Sequence, residues 1–289
     1  MQPLLKHKTA SIVYNMFVLL LWMGLTCLPQ RITAATTMEL PLELYTLLDI
    51  CGVEHDGTLP SIVQATQSAW LRKPGQERWQ VAEKDFGERN NGQIRYLIER
   101  MGFIQEKAPE GTRYTYCLIL GATLPAMQKR LRYVRSLWEQ GVRFEQIVIL
   151  TGDRDLDPVA DRISLEHTCS NEAQGARFIY ENAHLPEDLR ALPLLVIDTP
   201  KQPSPKGLIR PTTADTVQDW LALGLPMGTC LFISNQPYVL YQHSVVRCIL
   251  RFPFTTAGPA TTAEKNSVAV LLDTVARWLY QQLEFRKSA

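Results

Sequence analysis

The chain has 289 residues, 46% hydrophobic and 20% charged, a composition that supports a sizeable core and excludes global disorder. Thirty basic residues face 29 acidic ones, a net charge of +1, with no long run of like charge. That balance argues against a protein held to nucleic acid by bulk electrostatics. The sequence contains no zinc-type Cys/His spacing, Walker loop, GxSxG elbow or GxGxxG fingerprint, and no metal site is expected.

Residues 1–35 read as an address. Lys6, His7 and Lys8 precede an apolar stretch from Ala10 to Leu28, broken lightly by Ser11, Asn15 and Thr26. The centre, Met16 to Gly24, has the length of a signal-peptide h-region, Pro29 ends it, and Thr33, Ala34 and Ala35 offer a small-residue cleavage site. An uncleaved anchor over 10–28 is the competing reading, since the run approaches the roughly 18–20 residues that span a bilayer. Cys27 offers lipidation as a third, with Gly24, Leu25 and Thr26 a poor lead-in. All three place the folded part outside the cytoplasm, periplasmic or anchored at the inner membrane, with membrane contact through this segment if it is uncleaved. Beyond it lie Cys51, Cys117, Cys169, Cys230 and Cys248, an odd set that leaves at least one thiol unpaired within the chain.

Residues 36–113 form a helical region by pattern. Leu44, Leu47, Leu48 and Cys51 keep the spacing of one helix face, and Gly52 stops it. Thr58 caps a second helix with Pro60 early in it and Ile62, Val63, Ala69 and Trp70 apolar. Lys73, Pro74 and Gly75 break the chain. Ile94, Leu97, Ile98 and Met101 mark a third helix ended by Gly102, and 107–113 is a polar connector.

The pattern changes at residue 114. Short apolar runs at 116–121, 146–151, 192–198 and 229–234 read as strands, with an extended piece at 252–256. Helical runs at 124–140, 171–183, 213–223, 238–250 and 268–285 alternate with them. Strands of this length between helices pair in parallel and are buried on both faces, giving a three-layer α/β domain over 114–289 with about five strands. Ligands of such sheets bind beyond the carboxyl ends of the strands.

The strand tips therefore hold the candidates. Gly121 and Thr123 follow the first strand, Gly152, Asp153 and Arg154 the second, and Ser234, Asn235, Gln236 and Tyr238 the fourth. Glycine permits close backbone approach, and helix starts at Asn171 and Thr213 aim free N–H groups at an anion. Asp153 is the leading single candidate for a general base. Its alternation with Asp155 and Asp157 lacks the glycine and distal glutamate of a calcium loop and reads as a solvated loop. Arg154 is either a phosphate clamp or half of a surface ion pair. Arg130 either reaches the pocket or lies exposed with Arg132 and Arg135. Thr212, Thr213 and Thr216 are capping residues first and ligand donors second. His167 and Cys169 lack an orienting third group, His55 reads as a turn residue, and the tryptophans read as packing or anchor aromatics.

In order, Gly121, Arg130, Thr151 and Gly152, the Asn171-Glu172-Ala173 helix start, Thr213 to Thr216 and a polar fourth tip resemble the SanA/ElyC/YdcF-like family. The likeness covers 116–260. It implies a Rossmann-like fold, a part in envelope biogenesis or barrier function for exported members, and nucleotide-like or lipid-carrier-like ligands. It also points to Glu172 as a ligand-contacting or catalytic carboxylate. Three features depart from the pattern. Asp153 replaces a second glycine, Thr216 replaces an asparagine, and no His-x-x-Arg pair follows the fourth strand, where His243 and Arg247 come one to two turns late. Two functions follow as expectations. The first is an exported envelope-associated protein that binds or processes a phosphorylated or nucleotide-like ligand at the carboxyl edge, with Asp153 or Glu172 as acid/base and Arg130 and Arg154 as anion clamp. The second is a non-catalytic interaction module of the same fold.

Overall fold

The computed structural model describes residues 40–73, 76–162, 169–205 and 207–288; the whole of the expected address, the Pro74-Gly75 break and His167 lie outside them. The chain divides into a first unit, Met1–Glu39, and a second, Leu40–Ala289, and only the second is described. Among the described residues no helix is long and apolar enough to cross a membrane.

Three helices come first: α1 (Leu42–Ile50), α2 (Leu59–Trp70) and α3 (Glu88–Arg100). Their ends follow local chemistry. The Thr58 hydroxyl accepts from the Ser61 N–H at the start of α2, with a proline in the first turn. Gly102, at φ +85°, takes the left-handed turn after α3 that a side chain would resist. The face of α2 is built on Ile62, Val63, Thr66 and Trp70, while Ala69, read as part of it, is exposed. Thr66 is accommodated there because its hydroxyl donates to the Ile62 carbonyl one turn back.

The α/β part runs β1 (Arg113–Leu120), α4 (Leu124–Glu139), β2 (Arg143–Gly152), α5 (Glu172–Asn182), α6 (Glu187–Arg190), β3 (Leu194–Thr199), a small hairpin β4 (Gln202–Ser204) and β5 (Gly207–Ile209), α7 (Thr213–Ala222), β6 (Cys230–Ile233), α8 (Val239–Ile249), β7 (Phe254–Ala257) and α9 (Val268–Ser288). The large sheet has five parallel strands in the order β3-β2-β1-β6-β7. The extended piece expected near 252–256 is its fifth strand, one to two residues late. Hairpin and α6 carry no sequence period long enough to read.

Alternation along the strands splits the core. Cys117, Ile119, Ile147 and Ile149 face α4 and α5, whereas Leu118, Leu120, Val148 and Leu150 face α7 and α8 through Val217, Trp220 and Val246. This is a three-layer Rossmann-like fold. The order reverses between β1 and β6, so their carboxyl ends open the crevice where such sheets bind ligands. All five cysteines of the described part are unpaired, and Cys117 and Cys230 are buried thiols in strands. Trp70, Trp138, Trp220 and Trp278 are buried packing residues.

The helical region is not a separate body. Leu44, Ile62, Ile94, Ile98 and Phe103 share one core with Leu271, Leu272, Val275 and Leu279 of α9. Asp273, buried on α9, accepts from the Arg72 backbone and guanidinium at 3.2 Å and from Arg277 at 2.9 Å. The region thus lies on α9, and its residues 76–87 bring Arg78 to the carboxyl edge of the sheet. Ile98→Ala, at a fully buried position, is expected to cost about 2–5 kcal/mol of global stability. Urea unfolding monitored by near- and far-ultraviolet circular dichroism should show one transition; a separate early transition would contradict the shared core.

Candidate functional site

Helix α4 carries its apolar face on Leu124, Met127, Leu131 and Val134, and Arg130 falls on that face three residues after Met127. The side chain is therefore driven under the sheet edge, where only 2% of it is exposed. Its Nε donates to Asn235 Oδ1 at 2.8 Å, and Nη1 donates to the carbonyls of Leu120 and of Gly121, the latter at 3.0 Å. This one guanidinium joins the tips of β1 and β6. Of the two readings of Arg130, the inward one holds. Burial, then the nearby charge of Arg78, lowers its pKa to about 9. Nη2 donates to nothing, and no carboxylate lies within ion-pair distance, among the described residues.

Arg154 occupies the next tip and is neither surface ion pair nor free clamp. Its Nε donates to Glu172 Oε2 at 2.8 Å, and its two Nη atoms fork onto Asp161, Nη2 at 2.9 Å. All three residues are buried. Asp161 also accepts from the Leu124 N–H at 2.9 Å and the Asp157 N–H at 2.8 Å, filling an orphan donor at the start of α4. Burial pushes the Asp161 carboxyl up, but the Arg154 fork and these amides outweigh it and hold it below its ordinary value. Glu172 goes the other way: burial raises it, and the single bond from Arg154 only partly offsets that. Asn171 caps α5 through the Gln174 N–H at 2.9 Å, which sets the first turn so that Glu172 points inward.

The free oxygen of Glu172 abuts the first tip. A Cβ on Gly121 would sit 2.3 Å from Glu172 Oε1 and 2.6 Å from the Leu150 carbonyl. Glycine is needed there to admit the carboxylate. Gly152 answers a different neighbour, since its Cβ would strike Pro211 at 2.3 Å. Thr123 stands at the start of α4 without capping through its side chain.

At the other side of the crevice, Ser234 donates to Gln242 Oε1, and Gln242 Nε2 donates to Thr213 Oγ1 at 3.3 Å. The chain thereby links the β6 tip to the start of α7. Thr216 spends its hydroxyl on the Thr213 carbonyl at 3.1 Å. Gln236 pins the helical region: its Nε2 donates to the carbonyls of Gly102 at 3.0 Å and Gln105 at 2.7 Å, and its buried Oε1 has no partner. Tyr238 carries the Arg78 guanidinium 3.9 Å above its ring.

Two sets of residues stay apart from this crevice. Asp153 lies at the β2–β3 end, half-buried, with Lys201 Nζ 3.9 Å from it and 3.3 Å from Asp155. No group of three or more His, Cys, Asp or Glu is placed to hold a metal among the described residues. His243 and Arg247 turn toward β7 and α9: His243 meets Thr256 at 3.3 Å and Phe254, and Arg247 donates to Gln282 at 2.6 Å. Burial, with Arg247 and Lys107 nearby, lowers the His243 pKa to about 4. A groove of about 280 Å³ between α4 and α5, floored by Leu131 and Ile179, ends on 182–185, after α5. None of the strand-tip residues lines it.

Asp161, Gln242 and Arg78 were not readable as site residues. Asp161 sits in a loop with no periodicity, Gln242 looks like one of several polar positions on α8, and Arg78 lies far along the chain from every tip.

No family model and no solved structure matches the chain. It is 25% identical over 212 residues to uncharacterized protein Rv3785 of Mycobacterium tuberculosis and, to the same extent, to uncharacterized protein Mb3814 of Mycobacterium bovis. The match covers 62% of this chain, and it spans 58% of the length of each relative.

The two buried carboxyls should respond differently to neutralisation. Asp161→Asn is expected to cost about 3–5 kcal/mol, because it leaves a buried guanidinium with its stronger partner gone. Glu172→Gln should cost clearly less, since the Glu172 charge is already penalised by burial. The stability from Asp161 is complete above its ordinary value of 3.8 and is lost as pH falls through its lower folded value. The Glu172 contribution has the opposite sign, improving as pH falls through its raised folded value toward 4.5. Denaturant midpoints for both variants, measured between pH 3 and 8, check this; equal costs would contradict it.

Proposed function

We propose that the protein binds a phosphorylated or nucleotide-like ligand in the crevice between β1 and β6, and that Glu172 acts there as acid or base. The observation that carries this reading is Arg130, a guanidinium buried at the switch point, bonded only to neutral oxygens and keeping Nη2 unspent. A buried cation without a carboxylate is costly unless an anion shares its site. Asn235 fixes its plane, and the Thr213-Gln242-Ser234 chain walls the same crevice with hydroxyl and amide groups. Glu172, raised by burial above the ordinary carboxyl range, is better suited than an exposed carboxyl to hold or give a proton at the Gly121 tip. Arg154 has a different part from the clamp first expected: it positions Glu172.

The reading extends to location. The cationic start, apolar run and small-residue stretch of residues 1–35 support export to the cell envelope, and the resemblance to the SanA/ElyC/YdcF-like family supports a role there. A second reading, a non-catalytic module, is favoured by one specific observation: His243 and Arg247 face β7 and α9 and supply nothing to the crevice.

A melting-temperature screen of the full-length chain against inorganic phosphate, nucleotides and sugar nucleotides tests binding. A ligand at 100 times its dissociation constant should add about 2.7 kcal/mol of stability. The gain is expected to vanish in Arg130→Gln and to survive in Glu172→Gln, while turnover of any converted ligand is lost in both. Stabilisation by none of these compounds would overturn the reading. Binding without turnover, unchanged by Glu172→Gln, would leave the module.

A further inference from the structure

The described residues 71–73 and 76–87 place a charged group at the site that no strand tip supplies. A short 3-10 turn, Arg78–Gln80, is closed by a reciprocal box between Glu77 and Gln80, and Glu77 is tied to Arg210 at 3.0 Å. The segment is held further by Arg72 on Asp273 and by the Glu83 carboxylate, which accepts from the Val268 N–H at 2.7 Å. Arg78 is the half-buried cation of this stretch left unanswered. Its guanidinium makes no hydrogen bond and no ion pair among the described residues, and its Nε is buried without a partner. The guanidinium stacks on the face of Tyr238 at the β6 tip, 3.9 Å from the ring centre.

Tyr238 donates its backbone N–H to the Asn235 carbonyl at 2.9 Å, and Asn235 holds Arg130. Arg78 and Arg130 therefore flank the same two residues, and the Arg78 charge is felt at Arg130. Charge accounting sharpens the point. Arg154 cancels Asp161, and Arg130 is offset at most by Glu172 across the crevice. Arg78 is left over, and Arg72 and Arg277 share the single carboxylate of Asp273 behind it. Surplus positive charge is gathered on the side of the crevice that faces the helical region.

Resting on the phosphate reading above, we infer that Arg78 is a second guanidinium ligand of the same phosphate, and that the site takes a terminal, dianionic phosphate in preference to a diester. Two guanidinium groups at one tip match the oxygens of a phosphate monoester end, which offers three unsubstituted acceptors; a diester offers two and one charge fewer. The helical region is then part of the binding site through a single side chain. Tyr238 serves as the platform that holds Arg78 in place when the site is empty.

Isothermal titration of the full-length chain with inorganic phosphate, and with dimethyl phosphate as the diester probe, tests this. Phosphate should bind at least about tenfold more tightly than dimethyl phosphate, and Arg78→Gln should weaken phosphate at least about tenfold. Arg78→Lys, which keeps the charge and loses the fork, should fall between. Without phosphate, Arg78→Gln should melt no lower than the parent chain, because it removes a like charge from Arg130; an arginine that only packs would lower it. Phosphate affinity unchanged in Arg78→Gln but lost in Arg130→Gln would overturn this inference and leave the crevice reading standing. No phosphate binding by the parent chain would overturn both, and equal affinity for the two probes would remove the preference for a terminal phosphate.

Discussion

The carboxyl edge of this sheet is organised by one guanidinium fork. Arg154 is held by Asp161 on one side and Glu172 on the other, and Asp161 in turn takes the first free N–H of α4. The loop after β1 and the two ends of the connection from β2 to α5 are thereby locked to one another. Without the fork, nothing ties down the Glu172 carboxyl that the Asn171 cap turns inward. A buried ion cluster of this kind adds little net stability compared with an apolar core. Its consequence is positional: it fixes which carboxyl oxygen and which guanidinium nitrogen remain unspent.

The two carboxyls illustrate how environment divides identical chemistry. Asp161 receives the fork and two backbone amides and is held ionised, whereas Glu172 receives one bond in a drier place and is pushed toward the neutral form. Carboxyls driven apart in this way mark acid and base assignments in enzymes. The same asymmetry ties Asp161 to the loops around it and leaves one Glu172 oxygen unspent at the Gly121 tip. Across the crevice, neutral groups of Ser234, Gln242 and Thr213 bond among themselves while Asn235 holds Arg130, so that side is polar without a charge of its own.

Much of the fold was legible because periodicity reports burial. The four main strands, the five helices between and after them and the Thr58 and Asn171 caps lie within one to three residues of where pattern places them. β7 was weaker, since Phe254 to Ala257 contains two threonines and no long apolar run. Strand order, and with it the switch point between β1 and β6, has no local signal at all. In the site, Gly121, Asn235 and Gln236 were named from their place at the tips and Arg130 and Glu172 through the family resemblance, but their partners were not. Arg154 looked like an anion clamp because its two carboxylates come from a loop and a helix start 7 and 18 positions away. Gln236 looked like pocket wall, and its amide instead holds the loop after α3. Arg78 lay beyond reach, since nothing in 71–87 tells which face of the sheet that segment crosses.

Hydrogen–deuterium exchange of the full-length chain with and without saturating inorganic phosphate tests most directly whether the crevice between β1 and β6 is an anion site. Slowed exchange is predicted at the backbone amides of 121–124 and 235–238, together with 76–80, and no change at 182–185 beside the α4–α5 groove. Protection confined to that groove, or an exchange pattern that phosphate leaves unaltered throughout, would contradict the account.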